Sequence, residues 1–314
     1  MRSILLLAAL AAGNACACGA PPPAVVDIDA NSYYSDGDSH HAHVDPVRKA
    51  RNDAALKPVN DYLNGVARAA VAWQRRHDGA DARCALGWLA SWADSRAMLG
   101  TMATEQSYIS RKWTLAGLAL AYARVQPAAT PDERRRIDAW LLALADATIR
   151  HADAHKGVRN NHYFWEGLAV AATGAVTGDA RCRNWGHGVF DAALAQVRPD
   201  GALPHELERG PKALHYHLFA AAPLVMMASI FDVQAAPLDR LVAFAVRGAG
   251  DPSTVAALTG LAQEAPGRLP GWIAIYRRHG GRMPDGVSLA PTDWDTRLGG
   301  DMGLANPLEH VHAP

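Results

Sequence analysis

Two short stretches of this 314-residue chain gather side chains that plain helix packing does not call for. The first, Arg159-Asn160-Asn161-His162-Tyr163-Phe164-Trp165, brings a cation, two amides, an imidazole and three aromatics together just ahead of the apolar run 167–177. The second, from Gly201 to His217, carries Leu203-Pro204-His205-Glu206-Leu207-Glu208-Arg209 and then Ala213-Leu214-His215-Tyr216-His217 ahead of another apolar run, 218–231. Guanidinium, amide and imidazole are all donors for a carboxylate, and the planar fork of an arginine can grip one at two points. A phenol can pass a proton in either direction if nearby cations lower its pKa from the ordinary ~10. Asn161, His162, Arg209 and Tyr216 are therefore a set able to remove a proton from a carbon beside a carboxylate. The charge that develops there needs donors held in a dry site. Nothing in this chemistry requires a metal or an organic cofactor. If the second stretch is helical, Arg209 and Tyr216 lie close to two turns apart and project from one face.

Each residue has a plainer use when taken singly. Asn-Asn-His commonly opens a helix, Arg209 could pair with Glu206 or Glu208 on the surface, and Tyr216 could be a half-buried core residue. What argues for chemistry is the pair of stretches, each delivering its polar residues to the start of an apolar helix.

The rest of the chain must position them, and nearly all of it beyond Val47 has a helical period. Tyr62, Leu63, Val66, Ala70 and Trp73 recur at steps of three and four, as do Leu86, Leu89, Ala90, Ala93, Ala97 and Met98, and Trp140, Leu141, Leu144, Ala145 and Ile149. Thr130-Pro131-Asp132-Glu133 combines a hydroxyl cap, a proline and a glutamate in the order that satisfies a first helical turn. No alternating β-branched run is long enough to make a sheet. The expectation is an all-α fold of about ten to twelve helices paired antiparallel. Without a repeat register to indicate a solenoid, an α/α toroid is the better fit. Trp88, Trp92 and Trp140 fall at core positions of its helices.

Lys plus Arg and Asp plus Glu number 31 each, so any anionic ligand must be drawn in by a local patch rather than a global field. That balance gives no reason to expect a nucleic-acid partner. Arg2 followed by the apolar run 4–12, too short to span a bilayer, reads as an export signal occupying about residues 1–20. A lipid anchor on Cys16 or Cys18 is the weaker alternative. The expected product is a periplasmic or secreted monomer with no membrane insertion: one domain over 21–314, with a loop of Asp, Ser, Gly, His and Tyr over about 27–45. Cys18 and Cys84 could pair in an oxidising compartment, leaving Cys182 a lone buried thiol; equally, the first two cysteines could depart with the signal. No cysteine pair has zinc spacing, and His40-His41-x-His43 reads as solvated loop rather than a metal site.

Several spaced motifs carry a resemblance. Asn160-Asn161-His162-x-x-Trp165, Leu203-Pro204-x-Glu206-x-x-Arg209, Ala213-Leu214-x-Tyr216-His217, Arg111-Lys112-Trp113, Cys84-Ala85-Leu86-x-Trp88 and Arg297-Leu298-Gly299-Gly300 occur in one order from roughly Cys18 to Gly300. In this the chain resembles the periplasmic alginate lyases of polysaccharide lyase family 5. The resemblance implies an incomplete α/α toroid with a tunnel-like cleft under an N-terminal lid, and cleavage of a uronate polymer by metal-independent β-elimination. It implies that Asn161, His162 and Arg209 neutralise the sugar carboxylate. Tyr216 would be the acid and, for syn elimination of mannuronate, also the base; His162 would be the base where the geometry is anti. Tyr33, Tyr34, Tyr108, Arg111, Lys112, Trp113, Trp165, His215, His217 and Arg297 would line the cleft. Some alginate lyases carry a lysine in the lid where this chain has Tyr33-Tyr34, which leaves the uronate open among mannuronate, glucuronate and hyaluronan polymers. A glycoside hydrolase would need two facing carboxylic acids, which Glu206 and Glu208 are too close in sequence to supply. A binding or secretion-scaffold protein would have no use for all four central residues.

Overall fold

The first six long helices each open on a residue whose side-chain oxygen accepts a first-turn N–H, which is why they begin where they do. Asp45 caps α1 (Pro46–Arg76), Asp78 caps α2 (Gly79–Asp94), Thr104 caps α3 (Glu105–Val125), Thr130 caps α4 (Pro131–Ala154), Asn160 caps α5 (Asn161–Thr177) and Asp179 caps α6 (Ala180–Leu194). At α4 the capping box is complete, with Glu133 reaching back to the Thr130 N–H. There follow α7 (Pro204–Leu207), α8 (Ala213–Phe231), α9 (Ala236–Gly250), α10 (Ser253–Thr259) and α11 (Trp272–Arg278). The only regular sheet among the described residues is the two-residue antiparallel pair of β1 (Trp294–Asp295) and β2 (Gly300–Asp301). This computed structural model describes residues 19–38 and 40–310. The expected signal segment therefore lies outside the described residues, apart from its last two positions.

Short connections force neighbouring helices antiparallel, and the packing falls into two rows. α1, α3, α5 and α8 touch in succession, while α2, α4, α6 and α9 pack against them from outside. Helices α3 and α8 are buried on nearly every side, so they read as apolar all round rather than striped. The stretch 210–231 is long and apolar enough to cross a bilayer, and its burial inside the protein accounts for that character. The result is the all-α toroid expected from the pattern of helices, incomplete as the family resemblance implies. The 294–301 segment packs back on α1 and α3.

Two glycines set the approach of α5 to α6. A Cβ on Gly186 would sit 2.6 Å from the Ala171 Cβ and 3.0 Å from the Gly167 carbonyl, and one on Gly167 would sit 2.6 Å from Val189 Cγ1. Before α1 the chain runs along α2, where Trp88 Nε1 donates to the Gly19 carbonyl and Trp92 Nε1 to that of Pro22. Cys84 is buried on α2, and its expected partner Cys18 lies outside the described residues. Cys182 is a free, buried thiol, as anticipated.

Candidate active site

Because outer helices return the chain each time, the inner helices all start at the same end of the toroid. The residues that open α3, α5 and α8 meet there around a cleft of about 860 Å³. Thr104, Glu105, Gln106, Ile109 and Trp113 come from α3 and its cap, Asn160 and His162 from α5, and His215, Tyr216 and Phe219 from α8. His205, Glu208 and Arg209 join them from the turn after α7, Asn31 to Tyr34 and His41 from the loop before α1, and Arg297 from the C-terminal segment. Helix N-termini present free N–H groups and a partial positive charge, so the shared orientation favours an anion at this end.

Tyr216 is the centre of the arrangement. The Arg209 guanidinium carbon lies 4.6 Å from its ring centre, and its hydroxyl is 3.3 Å from that of Tyr34. Burial pushes the Tyr216 phenol above its ordinary range, and the opposing pulls of the Tyr34 hydrogen bond and Arg209 do not overcome it. Tyr216 is thus a neutral phenol at rest, and the neighbouring cation does not bring it below the ordinary range. Burial also raises Tyr33 and Tyr34 to about 12. Burial drives the His162 imidazole well below its ordinary value, reinforced by the positive charges of Lys112 and Arg209, so it is neutral at pH 7. Its Nδ1 is buried without a hydrogen-bond partner. On the far wall the Arg297 guanidinium lies 4.1 Å from the Trp113 ring and 5.7 Å from that of Phe219.

The loop before α1 lies over this cleft and is internally braced. Tyr34 and Val44 form an antiparallel bridge, and the Asp45 N–H donates to the Tyr33 carbonyl. The Asp38 carboxylate accepts N–H groups of His40, Ala42 and His43 at 3.2, 2.6 and 2.7 Å. Besides the Tyr34–Tyr216 contact, two others fasten the loop across the cleft: His40 Nδ1 to the Glu208 carbonyl at 2.8 Å and His41 Nδ1 to Arg209 Nη1 at 2.7 Å. Arginine only donates, so His41 accepts on Nδ1 and is neutral; burial and the Arg209 charge lower its pKa accordingly.

The structure brings His162, Arg209 and Tyr216 to one cleft together with Tyr33, Tyr34, Trp113, His215 and Arg297. It places other expected residues elsewhere. Lys112 is 1 % exposed and gives its ammonium to Glu166 at 2.9 Å, because α3 has no solvent face at that position. Arg111 is buried with Nη2 on the Ala147 carbonyl, and Tyr108 stacks on His151. Trp165, 1 % exposed, packs against Phe219 and has no face for a sugar ring. His217 is fully buried: it donates from Nδ1 to the Ala213 carbonyl and accepts the Leu203 N–H on Nε2, with its pKa pushed down to about 4 by burial. None of these five lines the cleft. Arg209 and Tyr216 do not share a helix either, because Arg209 sits in the turn after α7 and α8 begins at Ala213.

Asn161 is fully buried behind the cleft wall, where its amide donates to both oxygens of Glu206; its neighbour Asn160 faces the cleft. Sequence reasoning missed Asn160, Gln106 and Phe219. Phe219 follows Tyr216 by three residues, so helical spacing could have found it. The carboxylates of Glu206 and Glu166 are buried and committed to neighbours, which removes both from the role of a hydrolase acid.

Comparison with known proteins bears on this site. Residues 29–255 match the family model for alginate lyase. A polysaccharide lyase of Stenotrophomonas maltophilia strain K279a is 39% identical over 100% of this chain and 98% of its own length. An alginate lyase of Azotobacter vinelandii is 32% identical over 69% of this chain and 60% of its own. Among solved structures, alginate lyase A1-III from Sphingomonas species A1 superposes with a TM-score of 0.75 at 22% identity, covering 94% of this chain and 86% of that one. A histidine-to-alanine variant of A1-III complexed with tetrasaccharide superposes with a TM-score of 0.77 over the same shares. Matched by the family model over residues 29–255 and by a relative 39% identical along its whole length, the chain belongs to the alginate lyase family, polysaccharide lyase family 5, and is a polysaccharide lyase.

Proposed function

We propose that this cleft cleaves a mannuronate-type uronate polymer by syn β-elimination, with Tyr216 handling both protons. The observation that carries the reading is the convergence of the Tyr216 phenol, the Arg209 guanidinium and the His162 imidazole on one anion-favouring cleft. Arg209 and neutral His162 donate to the carboxylate of the sugar being cleaved, stabilising the charge that spreads onto it as C5 loses its proton. The Tyr216 phenolate takes that proton. The C5–H electron pair forms the C4–C5 double bond, the C4–O4 bond breaks, and Tyr216 returns the same proton to the departing O4. No water is consumed and the phenolate is regenerated. Asn161 serves from behind the wall through Glu206, while Arg297, Trp113 and His215 contact adjoining sugars.

One observation favours a second activity. The His162 imidazole lines the cleft and is neutral, so a base is also present for a uronate whose C5 proton points away from Tyr216. In that case His162 takes the proton while Tyr216 gives one to O4.

The test follows ultraviolet absorbance of the unsaturated product on polymannuronate, polyguluronate, polyglucuronate and hyaluronan. Polymannuronate is expected to give the fastest rise, and Tyr216→Phe to lose at least about 100-fold in kcat with KM largely kept. Absence of absorbance on all four polymers, or an active Tyr216→Phe enzyme, would overturn the reading.

A further inference from the structure

Glu206 is an acid in the middle of a site built for anions, yet it is 0 % exposed and cannot touch a polymer. Its oxygens are engaged on two sides. Oε1 accepts the Asn161 backbone N–H at 2.7 Å, and both oxygens accept from Asn161 Nδ2 at 3.0 Å. Oε2 also lies 3.8 Å from Arg209 Nε. One carboxylate thus ties the residue immediately before His162, on α5, to the arginine that follows α7.

The division of the Arg209 fork adds to this. Its Nε edge faces Glu206 inside the wall, while Nη1 reaches outward to His41 at the cleft. A guanidinium tethered at the rear presents its front edge in a fixed direction. Glu206 also places a negative charge against the first N–H of α5, where the helix end is partially positive.

Resting on the assignment of Arg209 and His162 made above, we propose that Glu206 is a positioning residue. It sets the relative placement of His162 and Arg209 so that both meet the same sugar carboxylate. Neither the α5 cap nor the turn after α7 fixes this relation alone, and the bonds of Glu206 to Asn161 and Arg209 join the two segments through space. Catalytic groups displaced by about 1 Å can lose on the order of 100-fold in rate, so the effect falls on turnover rather than on grip along the polymer.

The test replaces the carboxylate by its neutral isostere. In Glu206→Gln the new NH2 group meets the Asn161 donors, and the charged acceptor beside Arg209 is lost. The folded enzyme is expected to lose about 10- to 100-fold in kcat on polymannuronate while KM stays within about 3-fold. A kcat within about 3-fold of the parent, or a loss borne by KM or explained by the unfolded fraction, overturns the proposal. If Glu206→Gln does not fold, Glu206→Asp carries the test. It keeps the charge but retracts it by one methylene, and unchanged kcat in that folded variant is equally fatal. Arg209→Ala is measured alongside. If it remains active, the assignment of Arg209 is at fault; if it is inactive while Glu206→Gln is not, the positioning role alone fails.

Discussion

At the scale of single residues, burial outweighs charge at Tyr216. Its phenol is pushed above the ordinary ~10 despite the guanidinium beside it, so the phenolate needed for syn elimination is a minor species near neutrality. For polymannuronate, kcat/KM is therefore expected to climb with pH from about 7 to 9 without reaching a plateau. His162 titrates in the opposite sense: its pKa lies below the ordinary value, so it is already the free base at pH 7. A uronate that relies on His162 should show a rate that is flat over that range and falls only in acid, well below the ordinary imidazole range. Initial rates on polymannuronate and polyguluronate across pH separate the two. Identical profiles on both polymers would contradict the division of labour.

At the scale of elements, the helices were legible and the facing of individual residues was not. Thr130-Pro131-Asp132-Glu133 announces its helix because a capping box is a local device, written within four residues. The stretches at 160–165 and 203–217 likewise mark the openings of helices that reach the cleft. Which neighbour turns inward depends on partners far away in sequence. Lys112 is buried because Glu166 meets it, His217 because the Leu203 N–H reaches its Nε2, and Asn161 because Glu206 takes its donors. None of those pairings has a local signature. The α5–α6 contact is another long-range fit, and it carries a prediction. Gly186→Ala would set a methyl 2.6 Å from the Ala171 Cβ, and overpacking of this kind costs about 1–3 kcal/mol. Urea unfolding should register that loss as a lower midpoint with unchanged slope, and an unchanged midpoint would mean that the helices separate at no cost.

At the scale of the whole molecule, the balance of 31 basic and 31 acidic residues leaves no net field. Attraction for a polyanion therefore comes from one end of the toroid, where three inner helices begin and Arg209 and Arg297 stand. Over that end lies the loop braced by Asp38. Its three backbone bonds to one carboxylate, with the Tyr34–Val44 bridge beside them, make it a preformed hatch rather than a slack cord. A loop ordered in advance freezes few additional torsions when a polymer lies beneath it, whereas ordering a loose loop would cost about 1–2 kcal/mol per residue. Removing the latch inside the hatch, by Asp38→Ala, should make residues 36–43 a preferred site of limited proteolysis. It should also raise KM for the polymer several-fold with little change in folding stability. Its tyrosine would then reach the reacting phenol only after a search through many shapes, and the enzyme would spend its encounters with substrate on rebuilding its own roof.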